Sequence, residues 1–425
     1  IKMQKKIVLP RINLYDTFMF FNVVALLFCI VILERKAYGR YIFLALSLLT
    51  YIVCLVQTRG ILKMPVTVHQ CHFLTTLFAI LLSSLWAINP INPVQKAVSI
   101  IEILLCFYGY FCYFYTSGKI TLLLDAIKWA GFAIAIYALA FYGYNTIISA
   151  TTSAGLRLDN IFSNVNVISN SIATSCLLEF YDLMNKKDRL MILFYIPSAV
   201  VIFACQSRKT FIFLFFGFLG LIVLQHRGKW NFLKIAGGLI AFVIVFSILS
   251  QIDMFSGMFE RMQSLLNMYT GNGAVDISAQ NRRYMMQIGL QTFLQNPIGG
   301  TGIGCSHYLA STSYEGGTYL HNNYVELLSG GGIIGFAAYY WYHFYLLNKI
   351  IKTRKPPSSL SSLALVWILL ILMMDYGSVT YFTKAQWIYL MTLYLIYVKI
   401  NREGLQNEAV VEKEDCKKAI PVCDG

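Results

Sequence analysis

The polar stretch 251–323 contains the side chains best suited to chemistry in an otherwise apolar chain. It holds the pair Arg282-Arg283, then a glycine-rich run, then the pair His321-Asn322. Guanidinium groups and glycine backbone amides bind phosphate oxygens, and a histidine can act as general base for a hydroxyl. The stretch therefore offers both anion binding and proton transfer, which indicates that the chain does its work there.

Each of these residues also has a simpler interpretation. Arg282 and Arg283 are predicted to open a helix whose free amides favour an anion, or they form a solvated pair. Gly300 and Gly302 form either a phosphate nest or merely a tight turn. His321 is either a general base or a structural histidine.

Two further outer loops carry candidates. Arg208 follows the seventh apolar span and would bind phosphate in a fork or act as an interfacial cation. Arg157, Asn164 and Asn166 occupy an earlier loop, where the amides would contact sugar hydroxyls or cap the next helix.

Composition predicts an all-α polytopic membrane protein. Of 425 residues, 57% are hydrophobic and only 13% are charged, whereas soluble domains have about 25% charged residues. Repeated apolar runs are long enough to cross a hydrocarbon core of roughly 30 Å. Two ionisable residues inside such runs, Glu102 and Lys128, are second-tier functional candidates.

The apolar runs predict about twelve transmembrane helices with both termini on one side. By our count about 22 of the 34 Lys and Arg lie on that side, which places the termini in the cytoplasm. Arg40 and its neighbours are an exception, since this topology puts them outside. The predicted spans are 14–33, 41–57, 66–86, 97–115, 120–142, 167–183, 190–205, 210–225, 235–250, 324–347, 358–376 and 385–399.

This topology predicts one transmembrane domain, 1–400, and a disordered cytoplasmic tail, 401–425. Its one large extracytoplasmic loop, 251–323, lies between the ninth and tenth helices and carries short helices. We expect the first span to remain as an uncleaved anchor.

The net charge of +14 does not indicate nucleic-acid binding, because most of the basic residues follow the positive-inside rule. The cysteines contain no CxxC pair, so they predict neither a disulfide framework nor a zinc site. We expect no metal and no cofactor.

The order and spacing of these motifs resemble the O-antigen ligase / O-antigen polymerase family of lipid-linked glycan transferases. The resemblance spans roughly 150–350. An Arg after the seventh span is matched by Arg208, and an Arg about fifteen residues before Pro-x-x-Gly-x-Gly is matched by Arg282. A His-Asn before a helix with Gly-Ile-Ile-Gly is matched by His321-Asn322. Met286 departs from the family, which often has Trp at this position, and the family usually has Pro between the two Asn matched by 164–166.

The resemblance implies a metal-independent inverting glycosyltransferase of the bacterial inner membrane. The donor would be a glycan on undecaprenyl pyrophosphate, with Arg208 and Arg282, helped by Arg283, stabilising the leaving group. His321 would orient or deprotonate the acceptor hydroxyl.

The acceptor would be another lipid-linked repeat of O-antigen or capsular polysaccharide in a polymerase, which the phrase at 321–336 favours. In a ligase it would be the lipid A core. A chain-length regulator or other assembly proteins are expected partners. A flippase or transporter of lipid-linked sugars is the alternative from another class, although the ionisable residues cluster at the outer face rather than at mid-span.

Overall fold

The computed structural model describes the chain in segments separated by gaps. The described residues are 13–33, 36–61, 64–152, 158, 164–186, 192–225, 236–238, 240, 244, 247, 251, 256–271, 273, 277–310, 319–353 and 358–419. Arg157 and most of the predicted ninth span, 235–250, lie outside them.

Fourteen helices account for nearly all of the described segments, so the all-α prediction is confirmed there. They are α1 (Leu14–Ile32), α2 (Ala37–Gln57), α3 (Val68–Ser83), α4 (Ile91–Ser117), α5 (Ile120–Thr152), α6 (Val165–Lys186), α7 (Ile192–Cys205), α8 (Arg208–Gln225), α9 (Ser256–Thr270), α10 (Ile277–Gln295), α11 (Ser306–Ala310), α12 (Asn323–Lys352), α13 (Ser359–Asp375) and α14 (Lys384–Ala419).

Five of the described helices, α1, α2, α4, α5 and α8, are long and apolar enough to cross a membrane. Three shorter apolar helices lie within 68–83, 193–205 and 359–375. The count of twelve spans and their orientation therefore remain predictions.

Glycines interrupt two of the long helices. Gly143 has φ 70° within α5, and Gly332 has φ 59° within α12. Both values lie in the left-handed region, which glycine adopts without steric cost. Each break changes the course of its helix, and the break in α12 lies close to the candidate site.

The end of α14 differs from the sequence prediction. The helix continues through Ala419, so most of the segment predicted as a disordered tail is helical. Lys399 Nζ lies 3.9 Å from the Glu403 carboxylate, four residues later. Such i,i+4 pairs support an exposed helix, so a charged segment of this kind can be helical.

The core is rich in aromatic side chains between α3, α12 and α14. His69 donates or accepts a 2.8 Å hydrogen bond with the Tyr342 hydroxyl, and the His72 ring stacks on the Tyr342 ring. Trp387 stacks on Phe73. These histidines are packed within the bundle, which suits a structural role.

Candidate active site

A cavity of about 730 Å³ lies at one end of the helix bundle, here called the cavity end. It is enclosed by the end of α1 and the beginnings of α2, α4, α6, α8 and α14, together with the end of α13 and residues 319–321. These are the helix ends that the predicted topology places on the outer side. Loops that are distant along the chain therefore meet at one site.

Polar and apolar side chains share the wall of this cavity. A site for a lipid-linked polar group needs both kinds of surface. The polar residues include Arg40, Glu102, Asn164, Asn166, Asn170, Lys209, Tyr319, His321, Thr380 and Lys384, and the apolar ones include Ile30, Phe43, Val98, Phe213, Trp367 and Met374.

His321 is held in the cavity wall by a strained turn. Its φ of 58° lies in the left-handed region, which a residue with a Cβ rarely adopts. On one side of it the Leu320 amide donates to Glu326 Oε2 at 2.9 Å. On the other side the Asn322 side chain caps α12 by accepting from the Val325 amide at 3.1 Å. These anchors fix the backbone so that the imidazole faces the cavity.

Glu326 extends this support to α11. Its Oε1 accepts a 2.6 Å hydrogen bond from the Ser306 hydroxyl, while its Oε2 accepts from Leu320. The carboxylate is buried, so both bonds form away from competing solvent. Glu326 therefore determines where the turn at His321 lies.

The electrostatic surroundings keep His321 neutral. Burial, together with the smaller effects of the positive charges of Arg282 and Lys209, lowers the pKa of His321 to about 3. At neutral pH the imidazole is therefore uncharged and can accept a proton from a hydroxyl. Lys209 also lines the cavity, whereas Arg282 is not among the residues of the cavity wall.

Close packing between α10 and α12 brings Arg282 to this site. A Cβ on Gly289 would lie 2.5 Å from Val325 Cγ1, so only glycine permits this approach. Asn322 Nδ2 donates to Met286 Sδ at 3.4 Å. The methionine at the position where the related family often has Trp therefore ties α10 to the His321 turn.

The two arginines of α10 differ in environment. Arg282 is half-buried, whereas Arg283 is exposed. The helix begins at Ile277, so the prediction that the pair opens a helix was wrong. Its N-terminal amides lie more than a turn before Arg282, and any anion binding there must come from the side chains.

Arg208 lies at the start of α8, beside the cavity. It is 8% exposed, and its Nη1 donates to the Arg261 carbonyl at 3.3 Å. The preceding Ser207 hydroxyl donates to Asn166 Oδ1 at 3.1 Å. Arg208 therefore contacts α9 and is joined to the cavity wall through its neighbours in the chain.

Lys209 is a site residue that the sequence interpretation missed. It lines the cavity, and its Nζ donates to the Gly377 carbonyl and the Ser378 hydroxyl, each at 2.6 Å. Its position directly after Arg208 at a predicted outer helix end was the available signal.

Asn164 and Asn166 both line the cavity, and both also stabilise the start of α6. Asn164 Oδ1 accepts from the Asn166 amide at 2.9 Å, and the Asn164 carbonyl accepts from the Val167 amide at 2.8 Å. The segment with these two asparagines therefore caps α6 and also lines the cavity.

The glycine run packs into the break of α12. The Gly302 amide donates to the Gly330 carbonyl at 2.7 Å, and the Gly300 amide donates to the Asn296 carbonyl at 3.0 Å. In the reverse direction the Ile333 amide donates to the Pro297 carbonyl at 2.9 Å. A phosphate nest needs amides without protein partners, so this geometry gives Gly300 and Gly302 a packing role.

Of the two charged residues predicted inside spans, only Glu102 lines the cavity. Its carboxylate lies 2.8 Å from Arg40 Nη2 and 3.3 Å from Lys384 Nζ. Lys128 instead lies 2.6 Å from the Asp182 carboxylate, in a buried contact between α5 and α6. Lys128 therefore has a packing partner rather than a place at the site.

The fold and the cavity define a multi-pass helical membrane protein with a cationic, partly apolar cavity at one end. Residues 193–340 match the family model described as O-Antigen ligase. The resemblance drawn from the motifs is therefore confirmed for this segment, which contains Arg208, Arg282 and His321. This match indicates a glycan-transferring enzyme. No curated protein matches the chain.

Proposed function

We propose that the chain transfers a glycan from undecaprenyl diphosphate to an acceptor hydroxyl, and that it polymerises O-antigen or capsular repeat units. One observation carries the proposal. A neutral imidazole, His321, faces a cavity that it shares with Lys209, and Arg282 lies close enough to act on the same ring. A base and cations at a partly apolar cavity suit a hydroxyl nucleophile and a lipid diphosphate leaving group.

The reaction is a displacement at the anomeric carbon of the donor sugar. The acceptor oxygen forms a bond to this carbon while its proton passes to His321. The bond between the anomeric carbon and the diphosphate oxygen breaks, and its electron pair leaves with undecaprenyl diphosphate. Because attack comes from the face opposite the leaving group, the anomeric configuration inverts.

The cations stabilise the charge that develops on the leaving diphosphate. The charges of Arg282 and Lys209 act on His321, and Arg208 adds a third cation at the start of α8. Fixed charges in a site shielded from water are worth far more than the same charges in solution. Arg283, which is exposed, is assigned to the glycan or the outer part of the diphosphate.

Amides and apolar residues would position the remaining parts of the donor. Asn164 and Asn166 face the cavity and suit contacts with sugar hydroxyls, and Asn322 supports the turn beside the base. The isoprenoid chain would lie along the apolar wall near Phe213, which lies one turn after Lys209 in α8.

The cavity end is assigned to the extracytoplasmic face of the bacterial inner membrane, with both termini in the cytoplasm. The loop 251–323 then forms the catalytic loop on that face. The basic residues that the sequence places in the short loops of the other side support this orientation. Chain-length regulators or other assembly proteins would act beside this enzyme.

A transfer assay tests the proposal and separates it from the alternatives. Purified protein in nanodiscs is incubated with a lipid-linked repeat alone, and the products are resolved by size. Growth of the chain supports a polymerase. Transfer only after addition of lipid A core identifies a ligase, and movement of the lipid-linked glycan across vesicles without any transfer identifies a flippase.

Metal independence is tested in the same assay. The arginine and lysine side chains supply positive charge at the leaving group, so we expect the rate to stay unchanged with excess chelator. Loss of activity on chelation, restored by a divalent ion, would contradict this mechanism.

A further inference from the structure

A second group of charged side chains lines the cavity on helices other than those that carry Lys209 and Arg282. Arg40 on α2 and Lys384 on α14 share one carboxylate, Glu102 on α4, at 2.8 and 3.3 Å. We call these three residues the Arg40 group. It carries two positive charges and one negative charge, so a net charge of +1 faces the cavity.

The Arg40 group is separate from the groups that act on His321. The cations near the imidazole come from α8 and α10, whereas the Arg40 group comes from α2, α4 and α14. All of these elements except α10 have residues in the wall of the same cavity. The cavity thus has two sets of cations nearby, carried by different helices.

Neutralising Glu102 does not require both cations. Arg40 remains 60% exposed although its guanidinium pairs with Glu102 at 2.8 Å. Lys384 Nζ also lies 4.0 Å from the centre of the Phe43 ring, which holds the ammonium group in place. The guanidinium has five N–H donors, so it can bind Glu102 and an anion at once.

The position of Arg40 also goes against the predicted charge distribution. The positive-inside rule depletes Lys and Arg from short outer loops and helix ends, yet Arg40 is retained at the cavity end. Beside it Phe43, Val98 and Ile30 provide apolar surface. Positive charge next to an apolar wall suits an anionic headgroup attached to a hydrocarbon chain.

We propose that the Arg40 group binds the diphosphate of a second lipid-linked glycan, the acceptor. This inference rests on the proposed function and deepens it. The acceptor would be anchored by its own diphosphate at Arg40 and Lys384, and its terminal sugar would extend through the cavity to His321. The reaction joining two lipid-linked repeats requires two headgroup sites, and the cavity has two sets of cations nearby.

Binding stoichiometry tests the inference without catalysis. Native mass spectrometry of the protein in nanodiscs is run with undecaprenyl diphosphate, together with Arg40→Gln/Lys384→Gln. We expect two bound molecules for the wild type and one for the double variant. Lys36→Gln is the control for loss of one positive charge, because this exposed residue directly precedes α2 and does not line the cavity.

Glu102→Gln gives a result in the opposite direction. Removing the carboxylate frees both cations, so undecaprenyl diphosphate should bind the second site about tenfold more tightly. If the group only stabilises the fold, this substitution leaves two unpaired cations, lowers the melting temperature and leaves binding unchanged. That outcome would overturn the inference.

A kinetic comparison identifies the ligand. Three acceptors with the same terminal sugar are used: the lipid-linked repeat, the same glycan without lipid diphosphate, and lipid A core. Arg40→Gln should raise the KM for the lipid-linked repeat about tenfold and leave the KM for the free glycan unchanged. An effect confined to lipid A core would overturn the assignment to a second lipid-linked glycan.

Failure of this inference differs from failure of the proposed function. A wild type that transfers glycan but binds one undecaprenyl diphosphate overturns the second site alone. Equal effects of Arg40→Gln on all three acceptors do the same. A wild type that neither binds undecaprenyl diphosphate nor transfers glycan overturns both.

Discussion

Two parts of the predicted outer loop contact the same helix, α12, and do so in opposite ways. The glycine run at 296–304 directs its backbone amides and carbonyls to the break at Gly332. The turn at 319–322 uses its backbone for anchoring but leaves the His321 ring in the cavity wall. Both segments looked functional by residue type, and only one of them presents a reactive group to the cavity.

The difference shows that backbone hydrogen bonding separates a packing motif from a reactive one. Where the amides of a glycine loop already have protein partners, the glycines allow the loop backbone to pack closely against the neighbouring backbone. Where a residue other than glycine is held at positive φ, the strained backbone sets the direction of its side chain. Substitutions in the two segments should therefore fail in different ways.

The largest effect is expected for His321→Ala and Arg282→Ala. Each should lower the rate of glycan transfer at least about a hundredfold, since electrostatic and proton-transfer groups typically contribute that much. The melting temperature should stay close to that of the wild type, because His321 lines the cavity and Arg282 is only half-buried. The measurements are polymer formation per unit of folded protein and thermal unfolding in detergent.

Arg283→Ala is the matched comparison for Arg282→Ala, because the two residues are adjacent and equal in charge but Arg283 is exposed. In Arg283→Ala the rate of glycan transfer should fall only several-fold. Equal losses for both arginines would show that proximity to His321 does not determine the effect.

The second largest effect is expected for Gly300→Ala. A Cβ there would lie 2.4 Å from the Gly330 carbonyl carbon, in backbone that cannot rotate away, and φ is 67°. We expect the free energy of unfolding to fall by at least about 2 kcal/mol. Activity should fall only in proportion to the folded fraction.

Gly60→Ala measures the cost of placing alanine at positive φ without a clash, because Gly60 also has positive φ but nothing within 4 Å of its Cβ position. Its cost should be about 1 kcal/mol. A Gly300→Ala protein that folds normally yet transfers no glycan would restore a phosphate-binding role for the glycine run.

The sequence predicted the helices well because apolar runs report burial and membrane crossing directly. It also predicted His321 and Arg282 as a pair, from residue type and order along the chain. It could not predict that Gly300 packs against Gly330, because both glycines looked like local turn or helix residues and their contact is tertiary. Lys209 and Arg40 were not recognised as site residues, because a cation at the end of a membrane helix normally sets the orientation of that helix in the membrane.

A smaller effect is expected for Arg208→Lys. The guanidinium donates to the Arg261 carbonyl at 3.3 Å and has further donors in a planar arrangement. Lysine keeps the charge but cannot reproduce two parallel hydrogen bonds to a diphosphate. We expect the rate of transfer to fall about tenfold in Arg208→Lys. In Arg208→Ala we expect transfer to be lost.

Arg208→Ala is the comparison for Arg208→Lys, since it removes both the charge and the planar set of donors. Complete activity in Arg208→Lys would mean that charge alone suffices at this position, and Arg208 would then resemble a solvated cation.

The smallest effect concerns pH and the state of His321. Burial, Arg282 and Lys209 hold the pKa of His321 at about 3 in the free protein. A bound diphosphate places negative charge beside those cations and stabilises the protonated ring, so the pKa should rise when the donor binds. Protonation removes the base, and activity is therefore lost as the pH falls through whichever pKa applies. The profile of kcat/KM reports the free protein and that of kcat reports the complex, so the acid limb of kcat should lie at higher pH.

Arg282→Gln should bring the two limbs closer, because it raises the pKa of the free protein by removing a cation, even though the absolute rate is low. Coincident acid limbs in the wild type would mean that the donor diphosphate does not bind next to the imidazole.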